Sequence, residues 1–416
     1  MTAAKIAIIG SGPSGCYTAQ FLNKALPEAE ICVMDRLPVP FGLVRYGVAP
    51  DHVGTKNVTK QFERLFAQDN VHFIGHVDVG VDISLAQLQA MFDVVVFASG
   101  LSQDRALNIE GESLQGVIGS GVLTRWSNDH PDTPEFIDIG ERVLIIGNGN
   151  VAMDVARLLS KNAADFEGSE MRPETVAHIQ KAAVKHIDIV GRSEMDAAKY
   201  DAVMVKELLK TEGVRLVLGH NAQGEHEKSM LLTQLAEQSH DQQGTDIVFH
   251  YGLTPQYLQG DAHLQAAVFT NAQGEEIVFS ADTLISAIGF EASCKHPLQL
   301  RDLHTDDTDL NCGFLQHNVY CVGWARRGPV GTIPENRKDA KLVADVIVAA
   351  LQTQDIGNKG GLKDLLSNLH QPHTDFDDWL RLNQFEISQA VTGRHRLKIK
   401  STEQVLQWLN IAKQSV

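Results

Sequence analysis

Two glycine-rich runs are suited to bring a backbone against a phosphate. The first is Gly10-Ser11-Gly12-Pro13-Ser14-Gly15 and the second is Gly147-Asn148-Gly149-Asn150-Val151-Ala152. In such a run the first glycine allows a tight turn and the second lets the backbone approach a pyrophosphate. The third small residue keeps the following helix close to the strand before it. Free N–H groups at the positive helix end then hold the anion. Asp35 lies 20 residues beyond Gly15, where an acid takes a ribose diol. After the second run Gly191-Arg192 stands at the matching place. A cation there suits the additional phosphate of NADPH, whereas an acid would suit NADH. Two dinucleotide sites in one chain imply FAD together with a nicotinamide nucleotide, because a flavin takes up hydride on one side and delivers electrons on the other.

The elements needed to position these turns are legible as alternating strands and helices of a parallel α/β protein. Lys5–Gly10 reads as a strand, Pro13–Leu26 as a helix and Glu30–Asp35 as the next strand, with Val71–Ile74 and Val94–Ala98 following. The pattern restarts with a strand at Arg142–Ile146 and a helix at Val151–Ser160. Strands at His186–Val190, Val214–Leu218 and Thr283–Ile288 extend it, and Asn271-Ala-Gln-Gly274 reads as a hairpin turn. Val319–Val322 and an amphipathic helix over Arg337–Leu351 return to the first unit. Gln352–Gly361 reads as a surface loop and Ser401-Thr-Glu-Gln404 as a capping box. The expected fold class is α/β, with two Rossmann-type dinucleotide-binding folds, the NAD(P)-binding one inserted into the FAD-binding one. The boundaries expected are 1–104 with 289–416 for FAD and 105–288 for NAD(P).

Composition narrows the function. With 36 basic and 52 acidic residues the formal charge is −16, a field that repels phosphate backbones and argues against nucleic acid. The apolar runs are far shorter than a bilayer span, so no membrane is expected. The N-terminus leads directly into the first strand without a targeting pattern, and a cytoplasmic protein is the expectation. Cys16, Cys32, Cys294, Cys312 and Cys321 form no CxxC pair, and no metal site is expected. A disulfide reductase would need such a pair beside its flavin.

The segment Leu37-Pro-Val-Pro-Phe-Gly-Leu-Val-Arg-Tyr-Gly-Val-Ala-Pro-Asp-His52 is highly specific, and with it the chain resembles the adrenodoxin reductase family of ferredoxin–NADP reductases. Further matches run in order along almost the whole chain. They are Ala98-Ser-Gly100, Ile109-Glu-Gly-Glu112, the second glycine run through Arg157, Gly323-Trp-Ala-Arg-Arg-Gly-Pro-Val-Gly-Thr-Ile333 and a tail from Trp379 to Lys398. The resemblance implies that Gly10, Gly12, Pro13, Ser14, Gly15, Asp35, Arg36, Gly42, Leu43, Ala98 and Gly100 hold FAD. Gly323, Trp324, Gly331, Thr332 and Ile333 would complete that site. Gly147, Gly149, Asn150 and Val151 would lie along the nicotinamide nucleotide, with Arg192 near its 2′-phosphate. It implies that His52 and Glu207 form a hydrogen-bonded proton relay. The implied activity is hydride transfer from NADPH, with NADH as the alternative donor, to FAD and then single electrons to a ferredoxin-type iron–sulfur protein. A quinone or diaphorase-type reductase without a protein acceptor would share the hydride half.

Three places depart from that family. Where it carries two arginines followed by Gly-Pro, this chain reads Arg192-Ser193-Glu194-Met195. Loss of one arginine predicts a weaker preference for NADPH. Met204 replaces an acidic residue, and His220-Asn-Ala-Gln-Gly-Glu-His-Glu-Lys228 is not the basic stretch by which mitochondrial members bind their ferredoxin.

Overall fold

The computed structural model describes residues 3–353 and 356–409. Lys5–Ile9 lies inside a six-stranded sheet, parallel to Glu30–Asp35 on one side and Val94–Phe97 on the other. Its apolar residues are buried on both faces because helices cover both. The sheet runs from Val71–Gly75 at one edge to Val319–Cys321 and the antiparallel Phe314–Gln316 at the other. Pro13–Ala25, with Pro at its first position, packs against the long helix Ile333–Thr353. Ala19, Ala340 and Ala344 are buried where they meet, and small side chains let the two helices approach.

A second, wholly parallel sheet holds Arg142–Ile146 between His186–Val190 and Thr283–Ser286, with Val117–Gly119, Val214–Leu218 and Thr245–His250 outside them. A separate antiparallel sheet of Thr254–Gln259, Ala266–Thr270 and Glu276–Ser280 packs beside it, and Asn271–Glu275 closes its hairpin. The chain leaves the first sheet once and returns once. Gln103–Asp104 and Phe290–Glu291 pair antiparallel at that crossing. The second fold is thus inserted into the first.

Several boundaries shift by a residue or two, such as the strand read as Thr283–Ile288, which ends at Ser286, and one helix shifts further. The late helix starts at Ile333 rather than Arg337 and takes in Gln352 and Thr353. Pro334 stands in its first turn, where a missing N–H is no loss. Residues 354–355 of the expected loop lie outside the described residues. At the terminal helix Thr402–Trp408 Ser401 Oγ accepts from the Gln404 amide, while the reciprocal half of the box is not formed.

A buried ionic cluster ties both folds to the tail. Glu170 accepts from Lys56 Nζ at 2.8 Å, and lies 3.1 Å from Lys398 Nζ and 3.0 Å from Arg396 Nε. Lys56 Nζ also donates to Asn128 Oδ1 at 2.6 Å, and the buried Arg45 donates to Glu386 at 2.6 Å. Burial alone would raise the Glu170 carboxyl, yet Lys398, Lys56 and Arg396 hold it far below the usual range. Burial, and the repulsion of Lys398, push the Lys56 ammonium well down.

A depressed carboxylate contributes stability above its unfolded pKa, near ~4.3, and loses it as pH falls through and below that value. Glu170→Gln should therefore lower stability at neutral pH by roughly 3–5 kcal/mol, because it strands buried cations. Melting followed from neutral to acid pH checks this. The variant should start lower and show a flatter acid limb than the parent.

Candidate active site

Both glycine turns are built the same way. Gly10 adopts φ +109°, and a Cβ there would meet the Ala98 carbonyl oxygen at 2.4 Å. Gly147 adopts φ +122° and would meet Ala287 O, also at 2.4 Å. Only glycine fits either place. At Gly15 a Cβ would lie 1.9 Å from Gly10 O, so this glycine serves helix–strand contact, and the buried Ala152 takes its place in the second turn.

Gly12 and Gly149 differ from these. Each is the N-cap of its helix with ordinary φ, and an added Cβ would have no protein atom within 4 Å. The protein itself does not require glycine there. Neither helix has a side-chain cap or an acid in its first turn. Two positive helix ends thus open onto empty space that a side chain would fill, the geometry a pyrophosphate needs.

The space is one cleft of about 2830 Å³, lined from both folds. That exceeds the roughly 300–1,000 Å³ of a pocket for one drug-sized ligand, and suits two dinucleotides. Gly10, Gly12, Pro13, Ser14, Asp35, Arg36, Gly42, Leu43, Ala98 and Gly100 line it, as do Trp324, Gly331, Thr332 and Ile333. Gly147, Gly149, Asn150, Val151 and Arg192 line the part contributed by the inserted fold. Gly15 and Gly323 stand behind the wall. Gly323, at φ +72°, would put a Cβ 2.0 Å from Ser14 Oγ, and a Cβ at Gly42, at φ +47°, would lie 3.0 Å from Gly12 Cα.

Some expected side chains are already engaged. Asp35 Oδ2 accepts from Ser11 N at 3.0 Å and Ser11 Oγ at 2.5 Å, and Oδ1 accepts from Leu37 N. The acid therefore locks the first turn to its sheet, a task for which Ser11 was not singled out. Arg36 donates to Asp132 at 2.5 Å across the half-exposed rim. Trp324 stacks on Phe290 with centroids 5.7 Å apart and donates to Gly331 O at 3.2 Å.

His52 caps the short helix Val53–Lys56, on the first fold's signature segment, and lines the cleft. Its Nε2 lies 3.0 Å from Glu207 Oε2 on helix Ala202–Leu208 of the inserted fold. On the other side Nδ1 lies 3.8 Å from Asp154 Oδ1, a charge contact rather than a hydrogen bond. Partial burial pushes the Asp154 carboxyl up against the opposing pull of Arg157. Arg157 donates to Asp154 at 2.6 Å and also binds Asp51, which Lys161 holds as well. Burial would raise Asp51, but Arg157 and Lys161 bring it below its ordinary value. Asp51, Asp154 and Arg157 were visible only as parts of longer motifs, since nothing in their spacing shows that they meet.

A family model described as pyridine nucleotide-disulphide oxidoreductase matches residues 4–331. Cindoxin reductase of Citrobacter braakii is 42% identical over 406 residues, covering 95% of this chain and 88% of that one. This chain belongs to the pyridine nucleotide-disulphide oxidoreductase family, in its adrenodoxin reductase-like branch. The probable mitochondrial NADPH:adrenodoxin oxidoreductase of Schizosaccharomyces pombe is 28% identical over 448 residues, covering 96% and 94% of the two chains. The structure of Mycobacterium tuberculosis FprA in complex with NADPH superposes with a TM-score of 0.88 at 26% identity, covering 99% of this chain and all of that one.

All five cysteines are free and none forms a CxxC pair. Cys16, Cys32 and Cys321 are buried, and burial pushes the first two thiols well up and Cys321 to about 12. Cys294 and Cys312 are unpaired. Among the described residues no group of ligating side chains could hold a metal, and no helix is long and apolar enough to cross a membrane.

Gly149→Glu should fold normally, because a Cβ there would meet no protein atom within 4 Å and the cleft lies open beyond it. It should lose nicotinamide nucleotide binding through exclusion and like charge while keeping its yellow flavin. Calorimetric titration with NADP⁺ and the flavin spectrum of the same sample check both halves; lost flavin with retained nucleotide would reverse the order of the two sites.

Proposed function

We propose that this chain is a flavoprotein reductase that takes hydride from NADPH onto FAD and passes single electrons to a ferredoxin-type protein carrier. The observation that carries the reading is the meeting of His52 with Glu207 in a cleft onto which two uncapped, glycine-started helices open. Relatives named as NADPH:adrenodoxin oxidoreductases and NADPH-ferredoxin reductases support the donor and the class of acceptor. The strand pair at Gln103–Asp104 and Phe290–Glu291 supports an FAD-binding unit of 1–104 and 289–416 around an NADPH-binding unit of 105–288. Five unpaired cysteines favour a reducing, cytoplasmic setting.

In this reading the first turn, with Asp35, Arg36, Gly42, Leu43, Ala98, Gly100, Trp324 and Gly331–Ile333, holds FAD. Gly147–Val151 and Arg192 hold NADPH. Bound flavin supplies the chemistry that couples a two-electron donor to a one-electron acceptor. The chain's own contribution is to orient the two nucleotides and to manage a proton. His52 Nε2 shares a proton with Glu207 Oε2, and Asp154 stands 3.8 Å from the opposite ring nitrogen as a second negative charge. Arg157 and Lys161 fix this group from behind through Asp51.

His52→Ala should slow flavin reduction by roughly a hundredfold while FAD stays bound. If the pair acts as one relay, the His52→Ala, Glu207→Ala double variant should lose no more than the worse single. Additive losses in stopped-flow reduction would assign the two residues separate roles. Turnover with purified ferredoxins against a quinone tests the acceptor. Efficient quinone reduction with no ferredoxin activity would favour the diaphorase reading.

A further inference from the structure

We propose that Lys199 is a specificity-determining residue that shares the 2′-phosphate of NADPH with Arg192. This rests on the NADPH reading above and adds a second cation to it. Residues 193–201 form an arch whose two ends are tied to the second glycine turn. Ser193 Oγ accepts from Asn148 Nδ2 at 3.2 Å, while Asp201 accepts from Asn150 Nδ2 at 2.7 Å and returns its own amide to Asn150 Oδ1 at 2.8 Å. The arch is therefore held to the nucleotide turn at both feet. Lys199 lines the same cleft as Arg192, and both are exposed.

Position alone directs the Lys199 side chain. Ala198 and Tyr200 on either side are buried, so the residue between them points outward. Lys228 Nζ donates to the Ala198 carbonyl at 2.6 Å, and Tyr200 shares a hydroxyl contact of 3.2 Å with Tyr251. The backbone carrying Lys199 is thus fixed before any nucleotide arrives.

Neighbouring charge leaves this pair available to an anion. Arg36 and Arg125 also line the cleft, but they face Asp132 and Asp104. Among the described residues neither Arg192 nor Lys199 forms an ion pair. Of the acids of the arch, Asp196 and Glu194 lie outside the cleft lining, and Asp201, which lines it, is engaged by Asn150. Asp196 accepts from Ser229 Oγ and the amides of Glu225 and His226, which hold it down to about 2. Glu194 is exposed. A phosphate monoester carries close to two negative charges at neutral pH. One guanidinium fork neutralises only part of that, and an ammonium on a long stem supplies the rest as a point charge.

The test uses FAD-loaded enzyme and calorimetric titration with NADP⁺ and NAD⁺ at fixed ionic strength. Lys199→Gln should weaken NADP⁺ about tenfold and change NAD⁺ less than about twofold, with Lys199→Arg restoring NADP⁺. The dependence of NADP⁺ affinity on salt should also become shallower. If Arg192→Ala lowers NADP⁺ selectively while Lys199→Gln does not, or lowers both nucleotides alike, the assignment of Lys199 is overturned and the NADPH reading stands. If neither variant alters the ratio of the two affinities, both fall together.

Discussion

The ion pairs carried by residues 45–56 hold two separately cored folds in one register. Asp51 binds Arg157 and Lys161 of the inserted fold, and Lys56 binds Glu170 and Asn128. Arg45 reaches Glu386 in the tail. These charges are mostly buried, so each is stabilising only while its partners are in place. A hydride passes only between atoms in close contact, and a small change in register would separate them. Buried charge networks have sharper geometric demands than apolar packing, which suits them to a joint whose angle matters more than its strength.

That joint places His52 where it can work. It stands one residue after Asp51 on a segment anchored from both folds, and it faces Glu207 and Asp154 across the interface. The same arrangement turns two helix ends into one site. Each helix alone has unsatisfied N–H groups and no acid to quiet them. Both open onto a common cleft, and Gly12 and Gly149 leave space there that no protein atom fills.

How much of this was legible depended on how local the cause is. The turns at Gly10–Gly15 and Gly147–Ala152 show in the sequence because backbone sterics set them within six residues and the flanking strand and helix periods are strong. Two folds follow from the restart at Arg142, and the inserted topology from the strand and helix of Val319–Leu351 that return to the first unit. The first turn of the helix at Ile333 lies before the amphipathic run of Arg337–Leu351, and Pro334 fits there because a first turn needs no N–H from it. The pairing of His52 with Glu207, 155 residues apart, came from resemblance to a family and not from spacing. Asp51 with Arg157, Asp35 with Ser11, and the direction of Lys199 had no such guide. Each depends on which segments the tertiary fold brings together, and a charged residue that pairs looks in sequence like one that faces water.

The central claim is that the joint between the folds sets the nicotinamide against the flavin, so that hydride passes directly. Anaerobic stopped-flow reduction with NADPH deuterated at the transferring position tests it most directly. The account predicts single-turnover bleaching of the flavin with a primary isotope effect in the parent, and much slower bleaching in Asp51→Asn with both nucleotides still bound. Bleaching that is insensitive to deuterium, or unchanged in Asp51→Asn, would contradict it.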